Sequence, residues 1–275
     1  MSQVEVDKII PQSGTTLTVG DSGDTITTPS GAFLRNEATF PTGTDNVALG
    51  SLALNSAQAG AVCNVAVGVN ALSANTTGDS NVAIGRSALA ANTTASNNVA
   101  IGLCSGLKTT TGQQNFSAGS FSLCNNTTGC KNVAVGQNAL KASTTGCFNT
   151  ALGMNTLALN ETANSNTAVG ACSMSNNSTG AENTAVGRDA LFTNTTGLGN
   201  VAVGVTALDA NTTANYNVAI GNSALTDNVT GTQNVAVELL HLLVTQLLVT
   251  QQLVIQQWRI LLQEIATQQL EELHY

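Results

Sequence analysis

The chain has 275 residues, of which 42% are hydrophobic, 3% aromatic and 9% charged, with a net charge of −8 and an isoelectric point near 4.5. Ordinary globular domains carry roughly 25% charged residues and rely on large aromatic side chains for much of their buried area, so this composition supports only a thin core of Ala, Val, Asn, Thr and Gly. The acidic balance and the lack of a basic patch exclude nucleic acid as an expected partner, and no run of about 18 apolar residues offers a membrane span.

The N-terminal segment, residues 1–45, opens Met1-Ser2-Gln3-Val4-Glu5-Val6-Asp7. It has no basic stretch followed by an apolar run, so no secretory signal is expected. It reads as a leader or attachment segment with short β-runs such as Thr25-Ile26-Thr27.

Residues 46–237 are a repeat. Asparagine recurs at 46, 64, 81, 98, 115, 132, 149, 166, 183, 200, 217 and 234, with one interval of 18 and every later interval 17. Numbered from that Asn, position five is Gly (Gly68, Gly85, Gly204), positions eight and nine are mostly Ala-Leu (Ala71-Leu72, Ala190-Leu191), and positions twelve to fifteen read Asn-Thr-Thr-Gly (Asn75–Gly78, Asn194–Gly197). A fixed period of this length marks a stacked array in which each unit buries its apolar side only against its neighbours.

The physics of one unit follows from its residues. Asn-Val-Ala-Val is a short β-run with alternating sides, and the Gly after it allows a corner that a Cβ would oppose. The run over positions seven to nine predicts a second strand. Asn-Thr-Thr-Gly is turn chemistry. The fold class expected is all-β, a parallel β-solenoid of 17-residue rungs, with eleven rungs at ~4.8 Å spanning roughly 53 Å. Branched residues at positions four and nine should form apolar columns. Ala at three and eight leaves room for a methyl alone, either because the coil is narrow or because another chain packs closely. Asn at position one should form an amide ladder.

Asn-Val-Ala-Val-Gly-x-x-Ala-Leu resembles the head repeats of trimeric autotransporter adhesins, which implies a trimeric left-handed β-roll. The longer rung with Asn-Thr-Thr-Gly is similar to repeats in phage tail fibres. The opening Val6–Leu17 and Gly23–Thr27 resemble the leader of such fibre proteins. The resemblance implies a homotrimer, attachment to virion or tail proteins through the N-terminus, and a host-surface receptor as a further partner. An autotransporter needs a signal peptide and a C-terminal barrel anchor. Neither is visible, so a virion component assembled in the host cytoplasm is expected over a bacterial surface adhesin.

From Glu238 to Tyr275 the composition turns to Leu, Val, Gln and Thr. Joining the third base of each codon to the first two of the next permits Gly at position five from Val237/Glu238. It likewise permits Ala at eight from Leu240/His241, Leu at nine from His241/Leu242 and Asn at twelve from Val244/Thr245. Thr-Gln-Gln-Leu also occurs at 250 and at 267, 17 residues apart. The segment 238–275 therefore reads as the same repeat translated out of frame. The alternative is a coiled-coil cap with Leu240, Val244, Leu247, Val254, Trp258, Leu261 and Ile265 at helical spacing. Helix propensity places helix ahead of strand for its conformation.

No catalytic, cofactor-binding or metal-binding residue is expected, and no enzyme. Both histidines, His241 and His274, lie in the tail. Asp79, Glu161, Glu182, Asp189, Asp209 and Asp227 occupy different rung positions, whereas calcium needs clustered oxygens. The six cysteines, at 63, 104, 124, 130, 147 and 172, have no zinc-type spacing. Cys130 and Cys147 lie one repeat apart and should stack within disulfide reach, although the expected reading is a cysteine standing in for a small residue of the repeat. Asn-Thr-Thr matches the glycosylation acceptor as a by-product of turn chemistry. The expectation is a structural or adhesive fibre shaft. An ice-binding solenoid is a remote alternative, because neighbouring Thr76 and Thr77 should point to opposite sides.

Overall fold

The computed structural model of the chain describes residues 45–58 and 60–237. The leader (all but Asp45), the tail and the break expected at Glu238 lie outside the described residues. The described part is all-β, with twelve three-residue strands and no helix among them. They are Val47–Leu49 (β1), Val65–Val67 (β2), Val82–Ile84 (β3), Val99–Ile101 (β4), Phe116–Ala118 (β5), Val133–Val135 (β6), Thr150–Leu152 (β7), Thr167–Val169 (β8), Thr184–Val186 (β9), Val201–Val203 (β10), Val218–Ile220 (β11) and Val235–Val237 (β12). Two compact units divide between Cys147 and Phe148, the first holding β1–β6 and the second β7–β12.

Each unit is a parallel β-solenoid. In the first, every strand pairs in parallel with the next in chain order, as in Val65↔Val82 and Val82↔Val99. In the second the same register runs from Thr150↔Thr167 to Val218↔Val235. The 17-residue interval thus brings like positions into register. The one 18-residue rung is absorbed as Val47↔Val65.

Ala at position three faces inward in every fully stacked rung that carries it, and Ala66, Ala83 and Ala100 are wholly buried. Opposite them stand Ala71, Leu72, Ala88 and Leu89, in one apolar cluster with Leu54. The coil is narrow, so one leucine and two methyls fill a rung such as that of Ala66, Ala71 and Leu72. This corrects the expectation for position four. With Ala inward, alternation turns position four outward, and Ile84 and Ile101 are both 40% exposed. The column at position nine is buried as expected.

The second strand expected over positions seven to nine is also corrected. Residues at seven and nine adopt left-handed backbone, as in Asn70 (φ 58°) and Leu72 (φ 51°), Ser87 (φ 58°) and Leu89 (φ 49°). That breaks the extended run into turns. Rung-to-rung bonding survives: Ser87 N–H donates to Val69 O at 2.8 Å, and Leu72 N–H donates to Ala88 O at 3.0 Å. The stack supplies partners for backbone groups whatever the local conformation.

The corner at position five needs glycine for two reasons. Gly85 has φ 132°, and a Cβ there would stand 2.5 Å from Gly102 O in the next rung. Position seventeen is different, since it is left-handed in every 17-residue rung and exposed in all of them but that of Gly199, as at Gln114 (φ 59°). Gly85→Ala should therefore lower unfolding free energy by about 2–5 kcal/mol, combining a disallowed φ with overpacking. Gln114→Gly should raise it by about 0.5–1 kcal/mol by removing left-handed strain alone. Urea titrations of the two variants, of opposite sign, check this.

Candidate functional site

The asparagines form the most ordered polar array in the molecule. At position one, Asn81 Nδ2 donates to Ala95 O at 2.9 Å across its own rung, while its Oδ1 accepts Asn98 N–H of the next rung at 3.0 Å. The same pattern holds at Asn200, which bonds Ala214 O at 2.8 Å and accepts Asn217 N–H at 2.9 Å. The expected amide ladder is present, with Asn81 Nδ2 reaching Asn64 Oδ1 at 3.1 Å.

A second buried ladder was not expected. Position twelve was read as turn chemistry alone, and Asn92 Nδ2 does cap its own turn by donating to Ala95 O at 3.0 Å. It also reaches Asn75 Oδ1 in the rung before, at 2.9 Å. The sequence signal was available in the repeated Asn at position twelve, but hydrophobic periodicity gives no hint that it points inward. Among the described residues the buried side-chain atoms without a hydrogen-bond partner are Asn92 Oδ1, Asn126 Oδ1, Ser143 Oγ and Asn211 Oδ1. Two of these oxygens have a shorter side chain, Thr109 or Ser143, at position twelve of the following rung. The interrupted ladder is the physical cause. Because Asn75, Asn92, Asn126, Asn194 and Asn211 are wholly buried, their glycosylation-type triplets are sealed in the folded chain.

The loop threonines divide into two ranks. Thr76 Oγ1 donates to Thr93 O of the next rung at 3.0 Å, and Thr195 Oγ1 to Thr212 O at 3.0 Å. Thr77, Thr94, Thr196 and Thr213, one residue on, are exposed.

The carboxylates stay apart. Asp79 Oδ1 accepts Val62 N–H at 3.0 Å, Asp189 pairs with exposed Arg188 at 2.6 Å, and Asp209 Oδ1 accepts Thr226 Oγ1 at 3.3 Å. Among the described residues no group of three or more His, Cys, Asp or Glu side chains could hold a metal ion, and no helix is long and apolar enough to cross a membrane. The histidines lie outside the described residues. In the core, Ser105, Ser117 and Ser122 replace alanines and satisfy one another, with Ser105 Oγ 2.7 Å from Ser117 Oγ and 3.0 Å from Ser122 Oγ. Burial pushes the Cys124 thiol up from its ordinary value, and the neighbouring Cys104 adds to it.

The outer face of each sheet is the feature that sequence reasoning missed. Position four presents Leu49, Ile84, Ile101 and Val135 in the first unit and Leu152, Val186, Ile220 and Val237 in the second, all exposed. Position two sits beside it on the same side of each strand, with Val82, Val99 and Val133, or Thr150 and Thr184, half-buried. Parallel sheets are normally covered on both faces, whereas this face carries a column of exposed aliphatic side chains in each unit. No protein-family model, no curated protein and no solved structure matches the chain.

Two substitutions test the ladders. Asn200→Ala leaves Asn217 N–H buried without its acceptor and Ala214 O with the Asn211 amide as its remaining donor, and should cost about 1–3 kcal/mol. Ser143→Asn supplies the missing donor to Asn126 Oδ1 and should add about 1 kcal/mol. Thermal unfolding monitored by circular dichroism should move down for the first and up for the second.

Proposed function

We propose that this chain is the non-enzymatic shaft of a fibrous virion appendage, most simply a phage tail fibre, and that it works as a homotrimer. The observation that carries the reading is the uncovered aliphatic face along each parallel solenoid. A chemically uniform surface repeated once per rung suits a partner with the same repeat, and a second copy of the chain is such a partner. The number three comes from the resemblance to adhesin heads and tail fibres. The leader motifs at Val6–Leu17 and Gly23–Thr27 support attachment to a virion through the N-terminus, with a host-surface receptor as the further partner.

The thin core supports association in another way. A typical rung buries one leucine and two alanine methyls, as with Ala66, Ala71 and Leu72. A fully buried Leu contributes roughly 1.5–3 kcal/mol, against roughly 1–2 kcal/mol of backbone entropy for every residue fixed. Covering the outer face would add two branched side chains per rung. The threonine loop gives less to an ice-binding reading, because one of its two ranks spends its hydroxyls on the next rung.

Sedimentation equilibrium should report a trimer. Replacing Ile84, Ile101 and Val135 together by lysine should convert it to monomer, since each buried, unpaired ammonium costs about 3 kcal/mol or more. A well-folded wild-type monomer at micromolar concentration would sink the trimer. Function is tested by immunogold microscopy with antibody against residues 46–237. Label on tail appendages of virus particles is expected. Label confined to the bacterial surface would favour the adhesin reading, and label on neither would overturn both.

A further inference from the structure

Cys130 and Cys147 occupy position sixteen of adjacent rungs in the first unit, and their sulfurs stand 2.8 Å apart. Both residues are half-buried. The geometry points to a site of reversible oxidation at which these two thiols close into a disulfide that staples one rung to the next.

A simpler role accounts for one cysteine but not for the pair. At position sixteen the backbone N–H points along the stack and takes its acceptor from the side chain one rung on. Asp79 Oδ1 serves Val62 N–H at 3.0 Å, Ser96 Oγ serves Asp79 N–H at 2.9 Å, and Asn215 Oδ1 serves Leu198 N–H at 2.8 Å. Cys147 Sγ does the same for Cys130 N–H at 3.0 Å. That duty asks for an acceptor at 147 and nothing of residue 130. A thiol at 130 is the surplus observation. The backbone geometry also suits closure: identical positions of parallel rungs lie ~4.8 Å apart, inside the usual Cα separation of a disulfide, about 4.4–6.8 Å.

The hydrogen bonds set the order of events. The Cys130 and Cys147 sulfurs share one hydrogen bond, and this contact with added burial raises the Cys130 thiol above its ordinary value. The Cys147 thiol in turn lies 3.6 Å from Thr145 O. With oxidised glutathione as the oxidant, the Cys147 thiolate attacks one glutathione sulfur, forming a mixed disulfide and releasing one glutathione thiolate. Cys130 then gives its proton to solvent, and its thiolate attacks Cys147 Sγ and expels the second glutathione. Two cysteine thiols are oxidised to one disulfide, and one glutathione disulfide is reduced to two thiols.

The test uses the full chain under native conditions, incubated with oxidised glutathione, quenched by alkylation, digested and mapped by mass spectrometry. Cleavage after Lys131 and Lys141 separates the two cysteines, and fragmentation of the joined peptides tells a Cys130–Cys147 bond from one through Cys124 or Cys172, which lie on the same two peptides. The expected result is a joined pair reversed by dithiothreitol, with alkylation of both thiols falling about tenfold, and a thermal midpoint that rises on oxidation. Cys130→Ser should stop at a glutathione adduct on Cys147, with no rise. Separate alkylation of Cys130 and Cys147 after oxidation, or adducts without the joined peptide in the wild-type chain, would overturn the proposal. So would equal joining to Cys124 or Cys172. The wild-type map needs no variant, so an unstable Cys130→Ser chain does not blunt it.

Discussion

One side chain makes the rung possible. The amide of the position-one asparagine donates across its own turn to the carbonyl at position fifteen and accepts the backbone N–H of the next rung, as Asn81 does with Ala95 O and Asn98 N–H. Without it, each coil would bury an unpaired N–H, at about 1–3 kcal/mol, and lose one of the two donors to its position-fifteen carbonyl. The position-twelve asparagine adds a second donor to the same carbonyl, so Ala95 O accepts from both Asn81 and Asn92. The two amides convert a loop of 17 residues into a closed cross-section. Buried networks of this kind are valuable when complete and costly when broken, which is why the interruptions at Thr109 and Ser143 coincide with orphaned oxygens.

Narrowness follows from that closure. When the amides draw positions one, twelve and fifteen together, the space left between the strand and the opposite turn admits methyl groups and one leucine. Ala66 meets Ala71 and Leu72 there. The strand must then present its larger residues to the outside, the reverse of an ordinary half-buried strand. The apolar outer face is a geometric consequence of the polar inner one.

This inversion explains which parts were legible in the sequence. The period, the parallel register, the glycine corner and the position-one ladder were readable because each depends on repetition or on a single residue type. The orientation of Val-Ala-Val was not, because alternation says which residues share a side but leaves open which side is inward. Size usually decides, and here closure by the asparagine amides decides instead. The turn at positions seven to nine was missed for a related reason. Leu and Ser carry no preference for left-handed backbone, and only the stack enforces it. The aliphatic face could have been found by noting that two branched columns and two alanine columns cannot both be inside a 17-residue coil.

Position nine shows what the stack accepts in exchange. Leu72, Leu89, Leu140, Leu191 and Leu208 all hold left-handed backbone near φ 50°, a conformation costing an L-residue roughly 1–2 kcal/mol. Each is also buried to within 2%, a gain of roughly 1.5–3 kcal/mol. Strain and burial nearly offset, so the leucine secures the shape of the turn more than it adds to stability. Glycine would relax the backbone and surrender the core. Gly106 takes that position in the β4 rung, where a Cβ would stand 2.9 Å from Leu89 Cδ2 of the rung before. There the neighbouring leucine fills the space. Rungs balanced this closely gain little singly, and their stability must be collected along the stack.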